Sequence, residues 1–359
     1  MRIRPGLRRA CAALSCAVAF GPCLAVPASA QSLVESWSIT YNSNPDLLAQ
    51  RAVLRQTDES LAQAVSNWRP KVQLNVEYNK IEADSLPVVR AATYYILNGR
   101  TTLLSMTQPI FRGGKTIADT KAAQANIQAQ RAALADTEQS VLLQTVTTYA
   151  DLVRDLGIVD ARRNNVRVLA QQLDATRERF RVGELTITDV SQAEARLEGG
   201  KADLVQAETQ VRVDEAAFFR VTGQKPKKIG DLPLIGALCA SEDECVSLAM
   251  DYGPKAMSAQ YRISAASYGV NSAVAALLPQ VNLVGYIQYQ QDLQVPNDQY
   301  YQYGVRLQAT VPIYQNGSEW SVIRQAKQLV GQRRNELDSA RRQSAEAVIR
   351  SWRQLDSAR

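Results

Sequence analysis

Histidine is absent from all 359 residues, which removes histidine-based acid–base catalysis, histidine metal ligation and Ser-His triads in one step. Aromatic residues make up only 6%, thin for a large globular core and ordinary for helices packed through Ala, Leu and Val. No proline interrupts the interval between Pro109 and Pro226, so nothing there forces a helix to break. Past the first 30 residues no run of 18 apolar residues occurs, so nothing in that stretch reads as a membrane-spanning helix. Of five cysteines, Cys11, Cys16 and Cys23 fall in the leader and only Cys239 and Cys245 lie beyond it.

Residues 1–30 have the form of a secretory signal. Arg2, Arg4, Arg8 and Arg9 precede an apolar stretch from Ala10 to Leu24 and a small-residue end at Ala28-Ser29-Ala30, so the mature chain is expected to begin at Gln31. Neither Cys16 nor Cys23 follows a convincing lipoprotein box. Loss of four arginines takes the formal charge from +6 to +2, so the basic balance gives no reason to expect nucleic acid. In an oxidising compartment Cys239 and Cys245 read as a small structural disulfide.

The chain is written twice. Asn44-Pro45 precedes Pro70-Lys71-Val72-Gln73-Leu74 as Gly253-Pro254 precedes Pro279-Gln280-Val281-Asn282-Leu283, at a constant offset of 209. Thr107 to Gly114 (TQPIFRGG) returns as Thr310 to Gly317 (TVPIYQNG) at an offset of 203. Two copies of one supersecondary unit are implied. The unit is helix, strand, loop, strand, long helix, divided into 31–225, a linker over 226–245 that holds the cysteine pair, and 246–359.

Val72, Leu74, Val76 and Tyr78 alternate with Gln73, Asn75, Glu77 and Asn79. Val281, Leu283, Gly285, Ile287 and Tyr289 do so in the second copy, as do Tyr301, Tyr303, Val305, Leu307, Ala309 and Val311 further on. The segment 101–110 is noisier, because Leu103 and Leu104 are adjacent. Strands of about 9–11 residues with one apolar face match segments that cross an outer membrane; a soluble sheet with one wet face has the same alternation. The leader tips the balance to a barrel. Four strands cannot close one, so several chains must share it.

The proline-free interval is rich in Ala, Gln, Leu, Val, Arg and Glu, which is helix composition. One heptad seam runs Leu152, Leu156, Val159, Val166, Ala170, Leu173, Phe180, interrupted by Arg163 and Arg177. A second runs Val190, Ala193, Leu197, Leu204, Ala207, Val211, Phe218, interrupted by Gly200 and Asp214. Between them, Gly183 suits a helix C-cap and Thr186 with Asp189 a capping box, which marks a hairpin tip. A helix over about 116–181 spans roughly 100 Å. The helix over about 45–68 is expected to stack end to end with the shorter returning helix. Gly113, Gly114 and Gly317 mark the strand–helix junctions; Gly114-Lys115-Thr116 imitates a phosphate loop, but Pro109 stands where its first glycine belongs.

These features together resemble the TolC-like family of outer-membrane efflux and type I secretion ducts over essentially the whole mature chain. The resemblance rests on Asn44-Pro45, Arg69-Pro70, Gln108-Pro109-Ile110-Phe111 with Gly113-Gly114, and Arg179-Phe180-Arg181-Val182-Gly183-Glu184 with Thr188-Asp189-Val190. It implies a mainly helical protein with membrane β-structure: long coiled-coil hairpins forming an α-barrel in the periplasm, and four strands given to a shared twelve-stranded barrel. It implies a homotrimer, a periplasmic adaptor, an inner-membrane transporter as energy source, and no enzymatic activity, cofactor or metal. Val72, Leu74, Val76, Tyr78, Leu283, Ile287, Tyr303, Val305 and Leu307 are then the lipid-facing set. Arg181, Val182, Gly183, Glu184 and Leu185 form the adaptor-docking tip, with Val182 and Leu185 expected to be exposed.

A periplasmic adaptor also carries a helical hairpin, but one inserted in soluble β-domains rather than one that starts again, and a self-sufficient porin needs more strands. Tyr149 aligns with Trp352, so Arg359 corresponds to residue 156 while the first copy continues to about Gln224. About 68 residues of the second copy are therefore expected beyond this sequence, making it a fragment of a longer frame or a decayed, non-functional copy. In the family the acidic entrance ring lies in that second hairpin, so no gate residue is assigned.

Overall fold

The computed structural model describes residues 32–85, 93–227, 229–230, 239–292 and 298–358. The leader over 1–30 and residues 228 and 231–238 of the linker lie outside them. Two short helices, α1 (Leu33–Ser43) and α2 (Pro45–Ser66), lead into strands β1 (Lys71–Ser85) and β2 (Thr93–Arg112). The hairpin helices α3 (Lys115–Arg181) and α4 (Ile187–Thr222) follow. The second unit is α5 (Glu242–Tyr252), α6 (Pro254–Ala275), β3 (Gln280–Gln291), β4 (Gln299–Thr310) and α7 (Ser318–Ala358). Leu33 to Ser43 maps onto Glu242 to Tyr252 at the 209 offset, so α5 repeats α1. The second unit's helices thus begin inside the segment taken as linker.

The strands form one antiparallel meander in the order β1-β2-β3-β4. The duplication holds at the level of single hydrogen-bonded rows. Lys71 opposite Thr107 in the first hairpin becomes Gln280 opposite Thr310 in the second, at the same two offsets. β1 and β2, at 15 and 20 residues, are longer than the 9–11 the alternation predicts. Both hairpin arms run past the apolar band, because polar residues such as Asn79 and Asn98 still pair across the ladder.

The register shifts between Pro109 and Phe111. Proline has no N–H to give the ladder, and the extra residue Ile110 forms a bulge. The bulge changes the parity of everything after it. Phe111 would otherwise join the polar face with Leu103, Ser105 and Thr107; instead it stands opposite Val281 on the apolar side.

At 67 residues, α3 spans about 100 Å. α4 lines its distal half, α2 and α6 its proximal part, and α7 packs on α6. α4 and α2 meet end to end: the Asn44 side chain accepts from Asp46 N and Leu47 N at the start of α2, while its Nδ2 donates to the Val221 carbonyl at 2.8 Å. The principal core gathers Leu33, Tyr149, Leu152, Val159, Val211 and Phe218 where α1 crosses the hairpin. Tyr149 is fully buried and donates its hydroxyl to the Gly230 carbonyl at 2.7 Å. Where α3 meets α6, small residues line up: Ala118, Ala125 and Ala129 with Ala265, Ala266 and Ala275 are buried.

Two expected seam residues, Leu156 and Phe180, are exposed. α4 covers only part of the stripe's width, and the 3.5-residue repeat drifts around an ordinary 3.6-residue helix. The four interruptions prove to be cross-helix partners. Arg163 pairs with Glu208 at 3.0 Å and Arg177 with Glu194 at 2.6 Å. A Cβ on Gly200 would lie 2.8 Å from Leu169 Cδ1, and Asp214 faces Asp155.

Candidate functional site: a one-faced sheet and a distant helical tip

At one end of the molecule, cross-strand rows collect the apolar residues on a single face. Leu74, Leu104, Ile287 and Tyr303 form one row and Val72, Met106, Gly285 and Val305 the next, with Leu283 opposite Leu307. Val76 and Tyr78 extend this face along β1. All nine residues of the apolar set named from the sequence are exposed, Tyr303 and Val305 at 74%. The adjacent leucines of β2 divide between faces: Leu104 joins the apolar rows, whereas Leu103 sits between Asn75 and Gln288.

The opposite face is polar and carries a cluster the sequence pattern did not single out. Tyr286 lies across Gly304, where an added Cβ would come 3.0 Å from its hydroxyl. Gln302 Nε2 donates to that hydroxyl at 3.1 Å, and the Arg306 guanidinium stands 5.9 Å from the ring centroid. A glycine inside an alternating strand was the available signal, since such a residue marks close approach of another group.

The strand–helix junctions use left-handed backbone twice. Gly113 and Gly114 have φ of 60° and 81°, Asn316 and Gly317 of 58° and 76°. A Cβ on Gly113 would meet the Ala275 carbonyl and Leu278 Cβ at 2.6 Å. The first turn of α3 is then tied to α6 through Lys115 Nζ, which donates to Ser272 Oγ at 2.7 Å, and Ser272 Oγ, which donates to Asp119. Lys115 also pairs with Asp119 at 3.7 Å, so its charge is taken up within this junction.

At the far end, Gly183 (φ +85°) closes α3. Its N–H donates to the Phe180 carbonyl and that of Glu184 to Arg179, both at 3.0 Å, a Schellman turn. Thr186 and Asp189 form the capping box that opens α4. The Thr186 backbone N–H, then its hydroxyl, hold the Asp189 carboxyl below the usual carboxylate range. Arg181, Val182, Gly183 and Glu184 are exposed, Val182 at 69%. Leu185 is half-buried, contrary to expectation, and Phe180 and Ile187 are the apolar residues that flank Val182 at the surface. The turn folds Leu185 back toward the hairpin, as the apolar residue beyond such a cap commonly does.

Between the two ends, Asp155 and Asp214 face each other across α3 and α4. Asp155 accepts from Arg154 Nε at 2.7 Å and Asp214 from Gln210 Nε2 at 3.0 Å, while each Oδ2 is buried without a donor. The Arg154 hydrogen bond, then the one from Asp214, holds the Asp155 carboxyl low. Burial, then the neighbouring Asp155, pushes Asp214 up. A proton shared between the two carboxyls would satisfy both buried oxygens.

Cys239 and Cys245 are disulfide-bonded, with Cα atoms 5.7 Å apart. Cys245 lies on the first turn of α5, whose acidic residues Glu242, Asp243 and Glu244 sit at the favourable end of the helix dipole. Among the described residues, no group of three or more His, Cys, Asp or Glu could hold a metal ion.

The model of the outer membrane efflux protein family matches residues 38–224 and 246–359. The chain belongs to that family. It is 32% identical over 324 residues to the outer membrane efflux protein BepC of Brucella suis, covering 89% of this chain and 68% of BepC. It is 24% identical over 315 residues to the outer membrane protein TolC of Vibrio cholerae, covering 83% of this chain and 68% of that protein. The fold is similar to that of VceC from Vibrio cholerae, with a TM-score of 0.71, 18% identity and coverage of 87% of this chain and 75% of VceC. This family member is an outer-membrane channel subunit of an efflux or secretion system, with its helical part in the periplasm.

Proposed function

We propose that three copies of the chain form one passive duct, each giving β1–β4 to a twelve-stranded barrel and its long helices to a periplasmic tunnel. One observation carries this reading: a four-stranded sheet, apolar on one face and polar on the other, with the outer edges of β1 and β4 unpaired among the described residues. A sheet that size cannot close alone, and an open edge in hydrocarbon leaves backbone groups without partners. Val72, Leu74, Val76, Tyr78, Leu283, Ile287, Tyr303, Val305 and Leu307 then face lipid, and the polar face lines the passage. The duct performs no chemistry on its cargo and needs no cofactor or metal. An inner-membrane transporter supplies the energy.

The tip at Arg181, Val182, Gly183, Glu184 and Leu185 receives a periplasmic adaptor. Support comes from its distance of about 100 Å from the sheet and from exposed Phe180, Val182 and Ile187 beside a glycine. The duct is tested by isolating outer membranes and measuring heat-resistant trimers and their conductance in planar bilayers. Fractionation as a soluble periplasmic monomer would sink it. Docking is tested with Val182→Trp, which adds bulk without disturbing the left-handed glycine. Normal trimers that lose adaptor crosslinking and export support the tip assignment; unchanged export removes it.

A further inference from the structure

The duplication makes the β2–β3 pairing inside one chain a template for the pairing between chains. β2 corresponds to β4 and β3 to β1, so the β2·β3 ladder has a counterpart in which β4 pairs with β1 of a second copy. We infer that β4 pairs with the partner's β1 in the register obtained by carrying the β2·β3 rows through the two offsets. Thr107 opposite Val284 then becomes Thr310 opposite the partner's Asn75, and Ser105 opposite Tyr286 becomes Gln308 opposite the partner's Glu77. This inference rests on the shared-barrel reading and specifies its seam.

Three observations support the transfer. The intrachain hairpins already obey both offsets row by row. The transferred register keeps the faces matched, placing Leu307 opposite the partner's Tyr78 and Ala309 opposite the partner's Val76 on the apolar side. Most tellingly, β2 runs on to Arg112, whereas β4 stops at Thr310 although its counterpart end would be Gln315. The last rows of β2, from Gln108 to Arg112, pair with β3 and not with β1. The matching stretch 311–315 has no such neighbour among the described residues. Ile313 and Tyr314 are accordingly 95% and 75% exposed, against 52% and 48% for their counterparts Ile110 and Phe111.

The register also pairs two isolated charges. Arg306 falls opposite the partner's Asn79, one diagonal step from the partner's Glu77 on the same polar face, within reach of a long side chain. Among the described residues neither Arg306 nor Glu77 has an ion-pair partner in its own chain; Glu77 only accepts from Asn79 Nδ2 at 3.2 Å. Each seam would hold one Arg–Glu pair facing the passage.

The mature chain carrying Asn75→Cys and Thr310→Cys, oxidised in isolated outer membranes and run boiled without reductant, should give covalent dimers and trimers. Inside one chain these residues sit on opposite edges of the sheet, about 14 Å apart across it at 4.8 Å per strand and eight residues apart along it, since the row of Asn75 ends at Gln302, too far to bridge. Lys71→Cys with Thr310→Cys, slipped by four residues, should stay monomeric. Crosslinking of the slipped pair, or of neither pair in heat-resistant trimers, would overturn the register while leaving the duct intact. Absence of any trimer would overturn the duct and the seam together. For the charge pair, Arg306→Glu should lower the temperature at which trimers dissociate, and adding Glu77→Arg should restore it; failure of that rescue removes the ion pair.

Discussion

Asn44 and Val221 are joined by a 2.8 Å hydrogen bond that fastens the start of α2 to the end of α4. The same side chain caps α2 from its Oδ1, so one residue makes two short helices act as a continuous partner for α3. Asn44→Ala removes both functions. The cost should be about 1–2 kcal/mol for the cap, with a further contribution from the uncapped Val221 carbonyl, read from the denaturant midpoint of the detergent-solubilised protein. Asn44→Asp keeps the cap but loses the donor and should fall between.

The carboxyl pair in the hairpin makes stability depend on pH. Asp214 is raised in the folded state, so its contribution is complete below the ordinary carboxylate pKa and is lost as pH rises through the raised value. Asp155 is lowered, so its contribution is present above the ordinary value and fades as pH falls through the depressed one. Hairpin stability should therefore be greatest in mild acid and decline toward neutral pH. Asp214→Asn supplies a permanent donor to Asp155 and should abolish the decline on the neutral side. An unchanged pH profile in thermal unfolding would refute the shared proton.

Gly113 and Gly114 should respond differently to alanine. Both pay for a left-handed backbone, about 1–2 kcal/mol, but only at Gly113 does a Cβ strike the Ala275 carbonyl and Leu278 at 2.6 Å. Gly113→Ala should be clearly the more destabilising in thermal unfolding. The second unit has Asn316 at the position of Gly113, where it is exposed with a φ of 58°, a left-handed conformation that asparagine tolerates.

Leu307→Arg places a charge on the apolar face and should cost about 2–4 kcal/mol per chain near the bilayer midplane, preventing trimer assembly. Gln308→Arg, on the polar face, should assemble normally. Trimer yield in outer membranes measures both, and equal tolerance would remove the barrel assignment.

Much of this is legible in the residues themselves. The offsets of 209 and 203 announced the duplication, the alternation separated Leu74 and Leu307 from Gln73 and Gln308, and Gly183 with Thr186 and Asp189 located the tip. All are local signals, in which a period or a cap is written into a few neighbouring residues. The Pro109 bulge was legible in part: a proline in a strand warns of irregularity, but not that Phe111 changes face.

What the tertiary structure decided is what stands opposite each residue. Period names a face; it does not say how wide the partner helix is, so Leu156 and Phe180 belong to the stripe yet remain uncovered, and Leu185 folds back from the surface. Arg163, Arg177, Gly200 and Asp214 look like defects in a heptad and are cross-helix partners, because the residues that answer them lie 17 to 59 positions away along the chain. Tyr286 over Gly304 and Asn44 on Val221 have the same origin. The sequence alone determined the four strands, the long hairpin helices and the face that most of their residues take. Only packing in three dimensions decided which side chains meet, since those contacts join segments whose separation along the chain carries no periodic trace.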